Sequence, residues 1–275
     1  MTRDGMTPHD RRRLLELILP IARAAGDAIM SVYQREFDVE LKDDRSPLTE
    51  ADSLSHDVIT DALASLRPAL PVLSEEASGT EHRDRRSWDP YWLVDPLDGT
   101  KEFIKRNGEF TVNIALIEAH APVLGVVLAP ALGVEYYGGA GIGAWRRAAG
   151  QDARGIRVSV PAAGPLRVVG SRSHPSGTLA TYLERLGAHE LKPMGSSLKI
   201  CLVAEGEADV YPRFGPTSEW DTAAAQAVLE GAGGVMMDTD GQPLRYNRKD
   251  DLLNPHFLAV GDQNRDWLGP LKSTG

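Results

Sequence analysis

Acidic residues recur in four short clusters, each of which follows an apolar segment or opens a helical pattern. They are Asp52, the pair Glu75 and Glu76, the pair Asp95 and Asp98, and Asp221 after Trp220. At an effective dielectric constant near 20, two like charges about 4 Å apart repel by roughly 4 kcal/mol. Carboxylates that converge on one pocket therefore need cations or protons. Hard oxygen ligands of this kind suit Mg²⁺ or Mn²⁺ rather than zinc.

The third cluster carries the clearest chemical signal. An apolar strand over Tyr91–Val94 is predicted to deliver Asp95 to its carboxyl end, and Asp98 follows within the same turn. Gly99 and Thr100 can then open a helix, whose first amides suit phosphate oxygens. A metal beside such amides indicates phosphoryl transfer to water.

Each cluster taken alone has a plainer interpretation. The run from Asp95 to Gly99 is equally a turn, the two glutamates are typical of a solvated surface, and Asp221 fits a helix-capping box with Ser218. The four clusters together, in this order, favour a functional site.

The predicted elements around these clusters change character near residue 155. Helical spacing predicts one helix through Leu14–Ile29 and a second one capped by Thr49, and a strand meander follows, with Phe110–Ile117 and Val123–Leu128 as an antiparallel hairpin. Beyond the change, strands and helices alternate. We expect an α+β lobe over residues 1–155, which includes the first three acidic clusters, and an α/β lobe over 156–275, which includes Asp221.

Composition narrows the class of protein. The 275 residues include 30 lysines and arginines against 39 aspartates and glutamates, and the net charge of −9 argues against binding a nucleic-acid polymer. No apolar run approaches the roughly 18–20 residues of a membrane span, so stable membrane insertion is not expected. The lone Cys201 fits a reducing compartment, and we expect a cytoplasmic protein.

The ordered acidic clusters resemble the signature of the lithium-sensitive, magnesium-dependent phosphatases of the inositol monophosphatase superfamily. The resemblance covers nearly the whole chain and is closest to the bacterial 3'(2'),5'-bisphosphate nucleotidase branch. It is carried by residues 92–114, 170–174, 195–199 and 211–216. It implies a layered αβαβα sandwich of two interlocked lobes, with the site between them.

The resemblance also implies roles for individual residues. Glu75, Asp95 and the carbonyl of Leu97 would hold one Mg²⁺, and Asp95, Asp98 and Asp221 would hold a second. Thr100, oriented by Asp52, would help to activate the attacking water. The implied catalytic set is therefore Asp52, Glu75, Asp98 and Thr100. Glu76 is a candidate for a third, weaker ion, and Mn²⁺ is an alternative to Mg²⁺.

Residues of the second lobe indicate which substrate is preferred. Relatives that cleave inositol phosphates carry a glutamate where Phe214 stands, and phenylalanine cannot accept hydrogen bonds from sugar hydroxyls. Phe214 is predicted to pack an adenine ring instead, and Arg213 to meet a second phosphate. The predicted substrate contacts are Gly99, Thr100, His174, Gly195, Ser196, Lys199, Arg213 and Asp221.

These interpretations together predict hydrolysis of adenosine 3',5'-bisphosphate to adenosine 5'-phosphate, with magnesium required and lithium inhibitory. In the family, this reaction clears a by-product of sulfate assimilation. A broad phosphatase acting on inositol phosphates or fructose 1,6-bisphosphate is the alternative. A non-catalytic nucleotide-binding sensor is disfavoured by the complete set of candidate ligands. We expect a monomer, with a dimer left open.

Overall fold

The computed structural model of the protein describes residues 5–41, 47–77, 84–162, 164–170 and 177–272. The helices of this part of the chain are α1 (Pro8–Tyr33), α2 (Glu50–Ser65), α3 (Thr100–Ile104), α4 (Gly177–Leu186), α5 (Leu198–Ala204) and α6 (Ala223–Gly231). The strands are β1 (Val39–Leu41), β2 (Pro47–Thr49), β3 (Val72–Ser74), β4 (Tyr91–Asp98), β5 (Thr111–Glu118), β6 (Ala121–Ala129), β7 (Val134–Gly139), β8 (Gly143–Ala148), β9 (Arg154–Gly155), β10 (Leu166–Gly170), β11 (His189–Pro193), β12 (Val210–Arg213), β13 (Val235–Asp238) and β14 (Phe257–Val260).

The long helix α1 shows how local sequence sets an outer layer. Thr7 and Asp10 form a capping box at its start, and Pro8 occupies the first turn, where a missing backbone N–H costs nothing. Its apolar residues repeat at helical spacing, so that Ile18, Ala25 and Ile29 are all fully buried. No helix within the described ranges has the length and apolar character needed to cross a lipid bilayer.

A seven-stranded sheet, ordered β3-β4-β5-β6-β7-β8-β9, forms the next layer. Because successive side chains of a strand point to opposite faces, β4 divides its residues between two cores. Trp92 and Val94 pack in the core that includes residues of α1 and α2, whereas Tyr91 and Leu93 pack in the core that includes α5 and α6. This sheet therefore lies between two helical layers.

A five-stranded sheet, ordered β11-β10-β12-β14-β13, forms the fourth layer. Its residues Tyr211 and Ala259 pack in the core with α5 and α6, while Val168 and Leu258 pack in the core with α4. Helices α5 and α6 are thus shared between the two sheets, and α4 closes the stack. The predicted layered αβαβα sandwich is confirmed.

Most predicted elements form with shifted ends. The hairpin is confirmed as β5 and β6, which pair antiparallel with Val112 opposite Leu128. The edge strand β11 was not predicted, because its residues are largely exposed and polar and show no apolar alternation. The lobe boundary near residue 155 stays a prediction; β9 ends at Gly155 and β10 begins at Leu166.

The contact between β6 and α6 depends on one glycine. A Cβ added to Gly125 would lie 2.3 Å from the carbonyl oxygen of Ala224 and 2.8 Å from its Cα. Both neighbours are backbone atoms in a buried layer, so they cannot swing away as a flexible side chain can. Gly125 therefore sets how closely α6 approaches the large sheet.

We expect Gly125→Ala to lower the free energy of unfolding by about 1–3 kcal/mol, the usual cost of overpacking a well-filled core. Urea denaturation followed by circular dichroism measures the change. Gly155→Ala is the matched control, because an added Cβ there meets nothing within 4 Å. An equal loss of stability in the two variants would contradict the proposed clash.

Candidate active site

Strand β4 carries two of the acidic residues, and an irregularity in it lets both face one pocket. In a regular strand, residues three apart point to opposite faces. Here Asp95 pairs with Asn113 and Asp98 with Thr111, and the register shifts between the two pairs. Such bulges re-aim side chains next to functional sites. The strand continues to Asp98, so the prediction that it ends before Asp95 is wrong.

Asp221 reaches the same place from the other end of the chain. It ends a short 3₁₀ turn, Glu219–Asp221, and its Oδ2 accepts a hydrogen bond of 2.9 Å from the backbone nitrogen of Ser218. The predicted capping box is confirmed. It coexists with a site, because carboxylate oxygens of Asp95, Asp98 and Asp221 all lie within 4.8 Å of one another.

Burial and mutual repulsion disfavour the charged form of all three carboxyls. The pKa of Asp95 is raised well above its ordinary value by burial and then by the charge of Glu75. The pKa of Asp221 is raised well above its ordinary value by burial and then by Asp98. Burial also raises the pKa of Asp98 to about 6, although Lys199 and the Ser197 N–H oppose that rise.

Glu75 and Leu97 complete the acidic side of the site. The backbone nitrogen of Glu75 donates to the carbonyl of Val94, which places the residue beside β4. A cavity of about 410 Å³ is lined by Glu75, Asp95, Leu97, Asp98, Thr100 and Asp221, among others. Converging oxygen ligands whose charged forms repel one another fit a hard divalent cation.

Thr100 lines this cavity, and Asp52 lies behind it, within hydrogen-bond distance of its hydroxyl. Asp52 is 1% exposed, and its Oδ2 accepts hydrogen bonds from the backbone nitrogen and the hydroxyl of Thr49. Its other oxygen accepts a 3.4 Å hydrogen bond from Thr100 Oγ1. Helix α2 therefore holds Asp52 by its cap, and Asp52 in turn faces the Thr100 hydroxyl.

Ser197 is a site residue that the sequence reasoning did not single out. Its backbone nitrogen donates a 2.6 Å hydrogen bond to Asp98 Oδ2. Its hydroxyl lies 2.9 Å from Thr111 Oγ1 and donates to Asn113 Oδ1 at 2.8 Å. Ser197 belongs to the segment 195–199 that carries the family resemblance, but no sequence pattern reports which backbone N–H faces a carboxylate.

A second cavity of about 200 Å³ adjoins the first, since Asp98, Gly99 and Asp221 line both. It contains most of the predicted substrate contacts. They are Gly99, Gly195, Ser196, Lys199, Arg213 and Asp221. Thr217, Lys101 and Glu102 line both cavities as well. These three were not predicted as contacts.

Three cationic side chains of the described residues line this second cavity, Lys101, Lys199 and Arg213. Lys199 is 8% exposed and its Nζ lies 5.6 Å from the centre of the Tyr211 ring. Burial lowers the pKa of Lys199 to about 8, against the opposing effect of Asp98. The lysine is therefore mainly protonated at neutral pH. Arg213 donates from Nη2 to the carbonyl of Pro216.

Two of the predicted substrate residues do not join this arrangement. Phe214 is 8% exposed and packs in a hydrophobic core, with its ring edge-on to those of Tyr182 and His256. The prediction that it packs an adenine ring is not supported, because neighbouring side chains already cover the ring. His174 lies outside the described residues.

Comparisons with known proteins agree with this site. The sequence model of the inositol monophosphatase family matches residues 10–267. The chain is 52% identical over 249 residues to the 3'(2'),5'-bisphosphate nucleotidase CysQ of Salmonella typhimurium, which covers 90% of this chain and 99% of the relative. It is likewise 52% identical over 247 residues to CysQ of Escherichia coli K12, covering 89% and 98% of the two chains.

The fold leads to the same group. The crystal structure of CysQ from Bacteroides thetaiotaomicron, described as a bacterial member of the inositol monophosphatase family, matches with a TM-score of 0.80 at 42% identity. The match covers 90% of this chain and 97% of the other. Sequence, fold and the carboxylate cluster therefore show that this chain belongs to the inositol monophosphatase family.

Proposed function

We propose that this protein is a magnesium-dependent 3'(2'),5'-bisphosphate nucleotidase that hydrolyses adenosine 3',5'-bisphosphate to adenosine 5'-phosphate and orthophosphate. The observation that carries the proposal is the adjoining pair of cavities, one acidic and one holding Lys199 and Arg213. A substrate with two phosphate groups fits such a pair, because one phosphate can react while the other is bound. The names of the relatives at 52% identity support the same reaction.

The acidic cavity provides the reaction centre. Asp95, Asp98 and Asp221, with Glu75 and the carbonyl of Leu97, would hold two Mg²⁺ ions, or Mn²⁺ in their place. When bound, such ions supply activation of a water and neutralisation of the charge on the leaving oxygen. Glu76 is the candidate for a third ion.

Thr100 and Asp52 would accept the proton of the attacking water. The Thr100 hydroxyl donates its hydrogen to Asp52. The lone pairs of the Thr100 oxygen therefore remain free to accept a hydrogen bond. A water in the cavity can therefore donate to Thr100 while the negative charge of Asp52 favours proton movement in that direction.

The second cavity would bind the phosphate that does not react. Arg213 Nε and Ser196 Oγ are buried and have no hydrogen-bond partner in the part of the chain that the structure describes. Both residues line the cavity with Lys199. A phosphate there would pair with Lys199 and Arg213 and satisfy these donors, whose burial without partners is otherwise costly.

Fructose 1,6-bisphosphate is the main alternative substrate, because it also carries two phosphates. Inositol 1-phosphate fits less well, since its single phosphate would leave Arg213 Nε and Ser196 Oγ without the partner that they also lack among the described residues. The buried position of Phe214 removes one argument for adenine. Preference for the nucleotide therefore rests on the second cavity and on the relatives.

We also propose a cytoplasmic monomer. Cys201 is buried, and burial raises the pKa of its thiol, so it is a packing residue rather than a reactive one. A chain with one such cysteine depends on no intrachain disulfide and suits a reducing compartment.

We expect phosphate release in Mg²⁺ to be fastest with adenosine 3',5'-bisphosphate, and slower with fructose 1,6-bisphosphate and inositol 1-phosphate. Lithium should suppress the reaction. Asp98→Asn should reduce kcat/KM by more than about 100-fold, since even residues behind metal ligands cost 10–100-fold. Asp57→Asn, an exposed carboxylate on α2, is the control and should retain activity. Faster turnover of a sugar phosphate would overturn the substrate assignment and leave the reaction class intact.

A second prediction concerns metal and stability. The pKa of Asp98 in the folded chain, about 6, lies above its ordinary 3.8, so the protonated form stabilises the fold and this contribution is lost as pH rises through 6. In EDTA at pH 7.5, Asp98→Asn should therefore be more stable than the wild type by about 1–3 kcal/mol. The difference should shrink towards pH 4.

Saturating Mg²⁺ should reverse that order, because the wild type gains a bound cation and the variant loses a ligand for it. Urea denaturation at each pH, with EDTA or with Mg²⁺, measures both effects. A wild type that is more stable than the variant in EDTA at pH 7.5 would show that repulsion is not what the cation relieves.

A further inference from the structure

The carboxylates of the acidic cavity come from distant parts of the chain, and Asp221 is the member that approaches from the C-terminal side. Its turn begins at Glu219, which is 1% exposed. Glu219 Oε2 accepts a 2.8 Å hydrogen bond from the backbone nitrogen of Asn247. The turn that presents Asp221 is therefore fastened to the segment around residue 247.

That segment is fastened in turn to the chain before β4. Arg85 is 6% exposed, and its Nη1 donates to Asn247 Oδ1 at 2.5 Å. Its Nη2 donates to the carbonyls of Lys249 and Asp250, and Asn247 Nδ2 donates back to the Arg85 carbonyl. Asn247 adopts a left-handed φ of 56°, a conformation uncommon outside glycine and more frequent for asparagine than for most residues.

These bonds form a continuous buried chain from Arg85 through Asn247 to Glu219. Arg85 stands in sequence between Glu75 and Asp95, the two ligands predicted to share one metal. The chain thus ties Arg85, which precedes β4 and its Asp95, to the turn that carries Asp221. None of its three members lines either cavity of the site.

We propose that Arg85, Asn247 and Glu219 form a strut that positions Asp221 for metal binding. They are positioning residues, since they act through Asp221 and contact neither substrate nor metal. The proposal rests on the proposed function, because it takes Asp221 as a metal ligand. Metal ligands need such support, and its loss commonly reduces metal affinity or activity 10–100-fold.

The charge of Arg85 makes the central test unambiguous. Removing a positive charge from the protein should, if anything, tighten the binding of a divalent cation when only long-range electrostatics matter. Loss of the strut should weaken it. We expect Arg85→Met to weaken Mn²⁺ binding by about tenfold or more. Titration of Mn²⁺ followed by electron paramagnetic resonance measures the affinity without any need for turnover.

Two variants at Glu219 distinguish the loss of its hydrogen bond from the loss of its charge. Glu219→Gln loses the charge but keeps an oxygen that can accept from the Asn247 nitrogen, whereas Glu219→Ala loses both. We expect Glu219→Gln to bind Mn²⁺ within about threefold of the wild type, and Glu219→Ala to resemble Arg85→Met. Equal weakening in the two Glu219 variants would assign the effect to charge and overturn the strut.

The control is a comparable buried carboxylate away from the site. Asp209 is 1% exposed and accepts hydrogen bonds from Arg167 Nε and Nη2. Asp209→Asn should lower the melting temperature as the strut variants do, with no change in Mn²⁺ affinity. Weakened Mn²⁺ binding in Asp209→Asn would show that any loss of stability loosens the site, and would overturn a specific role for the strut.

Kinetics provide the second readout. In Arg85→Met, the Mg²⁺ concentration for half-maximal rate should rise about tenfold or more, while KM for the nucleotide at saturating Mg²⁺ stays within twofold. If the wild type binds Mn²⁺ but does not hydrolyse the nucleotide, the proposed function fails and the resonance titrations still decide the strut. Unchanged or tighter Mn²⁺ binding in Arg85→Met overturns the strut, as does a wild type that binds no Mn²⁺.

Discussion

Repulsion among closely spaced carboxylates is the constraint on which the rest of this structure depends. Asp95, Asp98 and Asp221 lie within reach of one ion, and burial raises the pKa of each. Left to themselves, three such groups would separate or take up protons. The fold opposes separation by giving each carboxylate one backbone N–H, from Leu97, Ser197 and Ser218 respectively. A cation then removes the remaining repulsion, so that folding and metal binding support each other.

The backbone donors depend on how the layers anchor their segments. A backbone N–H can hold a carboxylate only if its whole segment is fixed, and each of the three segments is anchored in a different place. Leu97 belongs to the irregular part of β4, Ser197 precedes α5 between the two sheets, and Ser218 begins the turn before α6. The close approach of α6 to β6 at Gly125 therefore bears on the site as well as on packing.

The sequence could predict what depends on residue type and local spacing. The acidic clusters, the capping residues Thr49 and Ser218, and the layered sandwich were all predictable, the last through the family resemblance. The bulge in β4, the contact of Ser197 with Asp98, and the burial of Phe214 were not, because each depends on which distant atoms meet. Phe214 shows the limit most clearly: its type suggested a ring for stacking, but Tyr182 and His256 already contact it.

The acidic cavity and the second cavity differ in whether backbone or side-chain groups set their geometry, and this difference bears on substrate specificity. On the metal side, backbone N–H groups hold the carboxylates, so the ligand geometry depends on how firmly each backbone segment is anchored. On the other side, Lys199, Arg213 and Ser196 present side-chain groups, of which Arg213 Nε and Ser196 Oγ have no partner in the described ranges. Ser196 also adopts a left-handed φ of 45°, a strained conformation for a residue other than glycine. Because unpaired donors gain most from a substrate that satisfies them, a few substitutions there could change the substrate and leave the chemistry unaltered.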